Sequence, residues 1–380
     1  MRFALTPLDV FFFRDGRPFD RGEGWASGIF PPLPSTLYGA FRAAGLSRAA
    51  FSFKEFRNSD TILDPSLGTY KNLGNFSIRS ATLHDSNGPL IPMPLDLQRN
   101  GLALPSFVPN PVTGIVTDRN FSLFQPADPE DDTTPYATWI NSFDLEDYLS
   151  GRQLKNAGKK KERFRHERKT GIEKGVSGTA VEGMLYTQEM VRLDDGLHLS
   201  VETEHCSFLG GQGALKIGHD GRPFLYRAHP GESHFDSLKS SLQPIFVQRM
   251  RENGSRFKII FTSPALFKKG WRSERVSVDY SNGEERHIWD LADGLCIVIE
   301  SVVLGRPMRV GGWNMKTNKP RPMYRAVPPG SLYYCRLQTG DPSHLFNSLF
   351  DTRISETESE SELDMKKQGF GHILLGLPCD

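Results

Sequence analysis

Two arginines, Arg14 and Arg17, flank an Asp-Gly pair in the stretch PLDVFFFRDGRPF. Their forked, permanently charged guanidiniums suit phosphate oxygens or a carboxylate. Asp15-Gly16 predicts a tight reversal with Pro18 fixing the exit, and the apolar residues 10–13 predict a rigid support beneath it. A surface pairing of arginine with Asp15 accounts for the same residues equally well. A second bend, Gly369-Phe370-Gly371, follows Lys366 and Lys367 and feeds the apolar run ILLGL. Backbone amides at such a Gly-x-Gly can point at a phosphate while the lysines add charge. On that reading Gly371→Val weakens ligand binding and leaves thermal stability nearly intact. Gly210, Gly211 and Gly213 lack the Lys-Ser/Thr of a phosphate loop and predict a tight turn or bulge.

The densest charge lies at residues 152–174, where ten Lys or Arg stand against three Glu in a chain of formal net charge +1. Such a block repels itself until an anion arrives. Lys159, Lys160 and Lys161 lead it, and Phe164 and His166 interleave with Arg163, Arg165, Arg168 and Lys169. Flat side chains beside cations suit single-stranded RNA. A solvated, disordered loop is the bland alternative. Against it stands the continuation GIEKGVSGTAVEGMLYTQEMVRL, whose Met184, Tyr186, Met190 and Leu193 predict a loop held between strands.

The elements that must position these residues are those of a chain of 380 residues, 38% apolar and 11% aromatic, enough for two cores. A near-neutral balance means that any nucleic-acid surface is local. Cys206, Cys296, Cys335 and Cys379 are scattered, which supports neither a zinc knuckle nor a disulfide framework and points to a reducing, cytoplasmic setting. No signal segment or membrane span is legible. Neither the histidines nor Asp60, Asp64, Asp128, Asp131 and Asp132 show metal-ligand spacing, so no metal or cofactor is expected.

Phe3 and Leu5 alternate as in a strand. FPPLPST then leads to a helix with Ser35 as N-cap, Leu37, Ala40, Phe41 and Ala44 on one face, and Gly45 as an end or kink. Prolines through residues 62–135 predict strand fragments and loops inserted into the first domain. Residues 218–241 read as a polar connection, and the apolar strand at 257–264 opens a second domain. CIVIESVVL predicts a buried strand, residues 309–337 a hairpin with a basic, Pro-rich tip, and the acidic run at 355–364 a solvated loop. Trp313, Tyr324, Tyr333 and Tyr334 in that hairpin suit a protein partner, or equally a core.

Four ordered stretches carry a resemblance to a known family: PLDVFFFRDGRPF with FPPLPSTLYGAFR, then GIEKGVSGTAVEGMLYTQEMVRL, GGWNMKTNKPRPMYRAVPPGSLYY and QGFGHILLGL. The chain resembles the RAMP superfamily of CRISPR proteins, specifically the subunit-three family of the type III-B (Cmr) effector complex. The resemblance implies an α+β protein of two ferredoxin-like (RRM-type) domains, residues 1–245 and 246–380, with a thumb-like basic insertion near 150–180 and a glycine-rich loop at 369–371. It implies a subunit without catalysis that caps the 5′ handle of CRISPR RNA and contacts the large polymerase-like subunit and a backbone RAMP subunit. Relatives in the superfamily include metal-independent RNA endonucleases that use a histidine base, which leaves His166 and His372 as catalytic alternatives.

Overall fold

The computed structural model describes residues 1–14, 25–26, 28–49, 51–58, 64–69, 73–97, 139–152, 154, 163–174, 177, 179–218, 221–231, 233–281, 285–291, 293–314, 318–356 and 364–379. It is a mixed α/β protein built on two seven-stranded antiparallel sheets. In the first sheet, strand Arg2–Pro7 lies between Arg222–His229 and His198–Glu204. Beyond His198–Glu204 come Ser77–Asp85, Gly88–Pro92 and Trp139–Ile140, and Gln212–Ile217 closes the other edge. Alternation sets the register: Phe3 faces Val201 and Ala228, and Leu5 faces Leu199 and Tyr226. Phe3 and Leu5 are fully buried, under the apolar face of helix Pro34–Arg48. Phe41 meets Phe3 edge to face at 5.2 Å between ring centres.

That helix begins two residues earlier than expected and without a side-chain cap. Leu33 is the N-cap and Pro34, with its φ already set for a helix, takes the first turn in place of a capping Ser35. Gly45 neither ends nor kinks it. A Cβ there would lie 2.5 Å from the Phe208 ring and 2.9 Å from Leu67, so the glycine admits a close neighbour.

In the second sheet, Arg256–Phe261 lies between Leu332–Thr339 and His372–Gly376. Cys296–Val303, Arg286–Asp290 and Val276–Asp279 extend it one way, and Thr352–Arg353 the other. Phe257, Ile259, Ile260 and Phe261 are all buried because both faces of this strand are covered, which is why it reads as a continuous apolar run. Helices Ser142–Leu149, His234–Glu252 and Pro342–Leu349 contribute to the same core.

Two expectations about organisation are corrected. Residues 218–241 are no linker: they hold strand Arg222–His229, paired on both sides within the first sheet, and the start of helix His234–Glu252, which runs across the expected boundary at 245. Ser77–Asp85 belongs to the first sheet, paired with His198–Glu204, so it is no fragment of an insertion. Gly88–Pro92 also joins the first sheet, and residues 98–135 of the Pro-rich stretch lie outside the described residues.

The halves meet along a polar seam. Lys258, on the first strand of the second sheet, is fully buried with its ammonium 3.2 Å from Asp96. Tyr148 and Tyr334 donate their hydroxyls to the same carboxylate at 2.6 and 2.8 Å. Burial first, then the Asp96 charge, pushes both phenols well above their usual range, which keeps them donors. Lys258 also sits 3.9 Å from the centre of the Tyr148 ring. Farther along, Arg79 pairs with Asp351, and Arg353 pairs with Glu204 at 2.8 Å.

Candidate nucleic-acid interface

The second half of the basic block is a strand. Phe164–Lys174 pairs antiparallel with Ala180–Leu193 as a long hairpin, so the expected loop is corrected to ordered β structure. Cations on both faces hide the two-residue period; the partner strand supplies the ladder that charge alone would not. Its base is rooted in the first core: Phe164 meets Phe30 edge to face at 4.9 Å, Val191 is buried, and Arg163 pairs with Asp85 at 3.1 Å. Arg163 is therefore a root of the hairpin rather than an open contact. Beyond it Arg165, His166, Arg168 and Lys169 are exposed.

The electrostatics of this hairpin are uneven. Arg192 is held by Glu167 and lies 3.3 Å from Asp9, and its hydrogen bond draws the Glu167 carboxyl below its usual range. Arg165, side chain 78% exposed, lies 3.7 Å from Asp194 and stands directly opposite Arg192. His166 lies 3.8 Å from Glu189 and meets Phe164 edge to face at 5.3 Å. The result is a flat aromatic pair beside exposed cations on a rigid ribbon. Lys159, Lys160 and Lys161 lie outside the described residues.

The opening stretch joins the same ribbon. Phe11 exchanges backbone hydrogen bonds with Val191 at 3.0 and 2.8 Å, and Trp25–Ala26 runs parallel to Thr187 and Gln188. Phe11 and Phe13 face the main core while Phe12 turns to Met190 on the other side. Arg14, exposed, bridges to Gly28, whose neighbour Ile29 donates to Phe13 O at 2.8 Å. The fold thus brings Arg14 to the margin of the basic hairpin. Arg17 lies outside the described residues.

The glycine bend does not join it. Gly369, Phe370 and Gly371 are buried, and their amides are spent on Lys366 O, Met365 O and Pro264 O at 3.0, 3.1 and 2.8 Å. Both glycines have positive φ, and a Cβ on Gly371 would lie 2.5 Å from the Ser355 nitrogen. The phosphate reading of this bend is corrected: with no amide left to offer, its glycines serve the turn. Lys367 reaches across the seam to Gly74 O at 3.0 Å, and Lys366 stays exposed. His372 is buried between Asp351, 2.8 Å from its Nε2, and the Thr262 hydroxyl, so it is sealed from any substrate.

Of the four aromatics assigned to a partner surface, Tyr333 and Tyr334 are core residues, each 1% exposed, with hydroxyls bonded to Trp271 O and Asp96. The strand carrying them is covered on both faces, so adjacent residues both point into the protein. Trp313 is 50% exposed and Tyr324 half-buried, on a separate small arm. Among the described residues no cluster of three or more His, Cys, Asp or Glu could hold a metal, and no helix is long and apolar enough to cross a membrane.

These features define a class: an antiparallel α/β protein of two sheets that carries a basic, well-rooted hairpin. Within that class the chain belongs to the CRISPR-associated protein (Cas_Cmr3) family, whose sequence model matches residues 3–378. No curated relative matches it. Among solved structures it is similar to a chain of the type III-B Cmr-beta complex bound to cognate target RNA, at 13% identity and a TM-score of 0.48, covering 88% of this chain and 86% of that one. It is also similar to a chain of the Csm3–Csm4 subcomplex of a type III-A interference complex, at 11% identity and a TM-score of 0.33, covering 89% and 97%.

Proposed function

We propose that the protein is a non-catalytic RNA-binding subunit of a type III-B CRISPR effector complex, holding the 5′ handle of CRISPR RNA and docking the large polymerase-like subunit and a backbone RAMP subunit. Family membership supports the assembly, and one observation carries the RNA reading: the exposed cations Arg165, Arg168 and Lys169 on a hairpin fixed at its base by Phe164, Val191 and the Arg163–Asp85 pair. Such a ribbon reaches phosphates without the entropy cost of ordering a loop. Arg14 adds a guanidinium at its margin, and the Phe164–His166 pair offers a stacking edge.

Strand order supports the ferredoxin-like reading of both halves. In each, the first strand of the unit is flanked by the last and the third, with the second beyond the third: Arg222–His229, Arg2–Pro7, His198–Glu204, Ser77–Asp85, and likewise His372–Gly376, Arg256–Phe261, Leu332–Thr339, Cys296–Val303. Each half keeps one crossover helix on this reading, Pro34–Arg48 in the first and Pro342–Leu349 in the second.

The test compares binding of an RNA carrying the handle with one of equal length lacking it, in EDTA. Preferential binding with the RNA intact supports the proposal. Cleavage that His166→Ala abolishes would replace it with a metal-independent endoribonuclease, since His166 is the one candidate base open to solvent.

A further inference from the structure

A second basic surface lies on the other half, far in sequence from the hairpin. Residues 305–326 carry Arg306, Arg309, Lys316, Lys319, Arg321 and Arg325 and not one carboxylate. The described residues of this stretch form an arm of two short ladders, Met308–Val310 with Tyr324–Ala326 and Trp313–Asn314 with Lys319–Pro320, and Lys316 lies outside them. The arm is rooted: Val310 and Ala326 are buried in a cluster with Leu33, Leu266, Met365 and Phe370. Alternation then turns Arg309 and Arg325 outward, and the register sets them directly opposite each other.

Directly opposed like charges destabilise a ladder unless something neutralises them. Among the described residues no carboxylate pairs with Arg306, Arg309, Lys319 or Arg325, all of them exposed. Trp313, half exposed, has its indole N–H tied to Asn318 at 3.3 Å, and Arg321 donates to the Trp313 backbone carbonyl at 3.4 Å, so an open ring and a guanidinium share one short ladder. Arg and Trp alone would also suit a protein contact, but cations without one carboxylate across residues 305–326, with an open indole on the same arm, match the charge of a phosphate backbone and the face of an unstacked base.

We propose that this arm is a second RNA surface, which takes a single strand by phosphate contacts to Arg309 and Arg325 and by stacking on Trp313. The proposal rests on the RNA-binding reading of the protein but assigns a surface separate from the hairpin.

The test uses the full chain with a fluorescent oligouridylate carrying a photoactivatable thiouridine. Charge reversal at both Arg309 and Arg325 should weaken binding about tenfold and lower the salt slope by about 1.4, since each phosphate released from a single strand takes back about 0.7 of a counterion. Trp313→Ala should weaken binding by at least about fivefold at an unchanged slope, since stacking releases no counterion. Arg325→Gln should leave the thermal midpoint level or raised, because it relieves the opposed pair, and so separates lost binding from lost folding. Crosslinks on the arm support the proposal. Crosslinks confined to residues 164–193, with affinity and slope unmoved by the arm variants, would overturn it and leave the hairpin reading standing. Crosslinks on neither surface would overturn both. If the arm variants lose only a protein subunit, the arm is a protein contact and the proposal fails.

Discussion

The seam between the two sheets and the basic hairpin use charge in opposite ways. At the seam the ionised groups are sealed and answered: Asp96 takes Lys258 and two phenols, Asp351 takes His372 and Arg79, and the Gly369–Gly371 amides all have carbonyls. On the hairpin, Arg165, Arg168 and Lys169 face water over a rigid base. A satisfied donor has nothing left to give a ligand, whereas an exposed cation on an ordered support can exchange counterions for phosphates. The difference divides residues that hold the halves together from residues placed to hold something else.

The sharpest way to break that division is to strike the seam. Asp96→Ala leaves Lys258 buried without its counter-charge and should cost about 3–5 kcal/mol, read by chemical denaturation, with RNA affinity per folded molecule unchanged. A weakened affinity in the folded fraction would mean the seam also shapes the RNA site. Next comes Gly371→Val, where positive φ and the contact with Ser355 together should cost roughly 3 kcal/mol, reversing the expectation of a neutral stability effect. A thermal midpoint within a degree or so of wild type would reinstate the bend as a ligand loop.

A pH series probes the folded body from another side. His84 is buried near His198, His234 and Arg2, with the ring of His234 4.0 Å away and Arg2 3.1 Å from the His234 Nδ1. His229, opposite Arg2 in the ladder, and Glu202, bonded to the His234 amide, complete the surroundings. Burial first, then these neighbouring positive charges, lowers His84 to about 2 and His234 to about 4. A histidine depressed in the fold gives stability that is complete above its unfolded value of about 6.5 and is lost as pH falls below it. Between pH 7 and 5 His84 alone should remove about 2 kcal/mol, at about 1.4 kcal/mol per unit below 6.5. The loss should flatten in His84→Gln, and hairpin binding of RNA should persist over that window.

Much of this was legible in the chain. Strands Arg256–Phe261, Cys296–Val303 and His372–Gly376 announce themselves as apolar runs, and Leu37, Ala40 and Phe41 mark a helix by spacing. Helix His234–Glu252 was hidden because Pro244 and a polar majority mask the buried Phe235, Leu242, Phe246 and Met250. Its signal was the capping box of Ser233 and Asp236, which marks a helix start in sequence alone. At the candidate site, the basic block and Arg14 were visible from charge, yet nothing local in sequence says that Phe11 pairs with Val191 and draws them together. The glycine bend misled because glycine serves a tight turn and a ligand approach by the same lack of a Cβ; only the partners of its amides separate the two.

One measurement bears most directly on the hairpin: RNA affinity as a function of salt, for the wild type and for Arg165, Arg168 and Lys169 reversed together to Glu. With about 0.7 counterions released per phosphate held on a single strand, the account predicts a slope shallower by about 2 at an unchanged thermal midpoint. A slope equal to that of the wild type would contradict it.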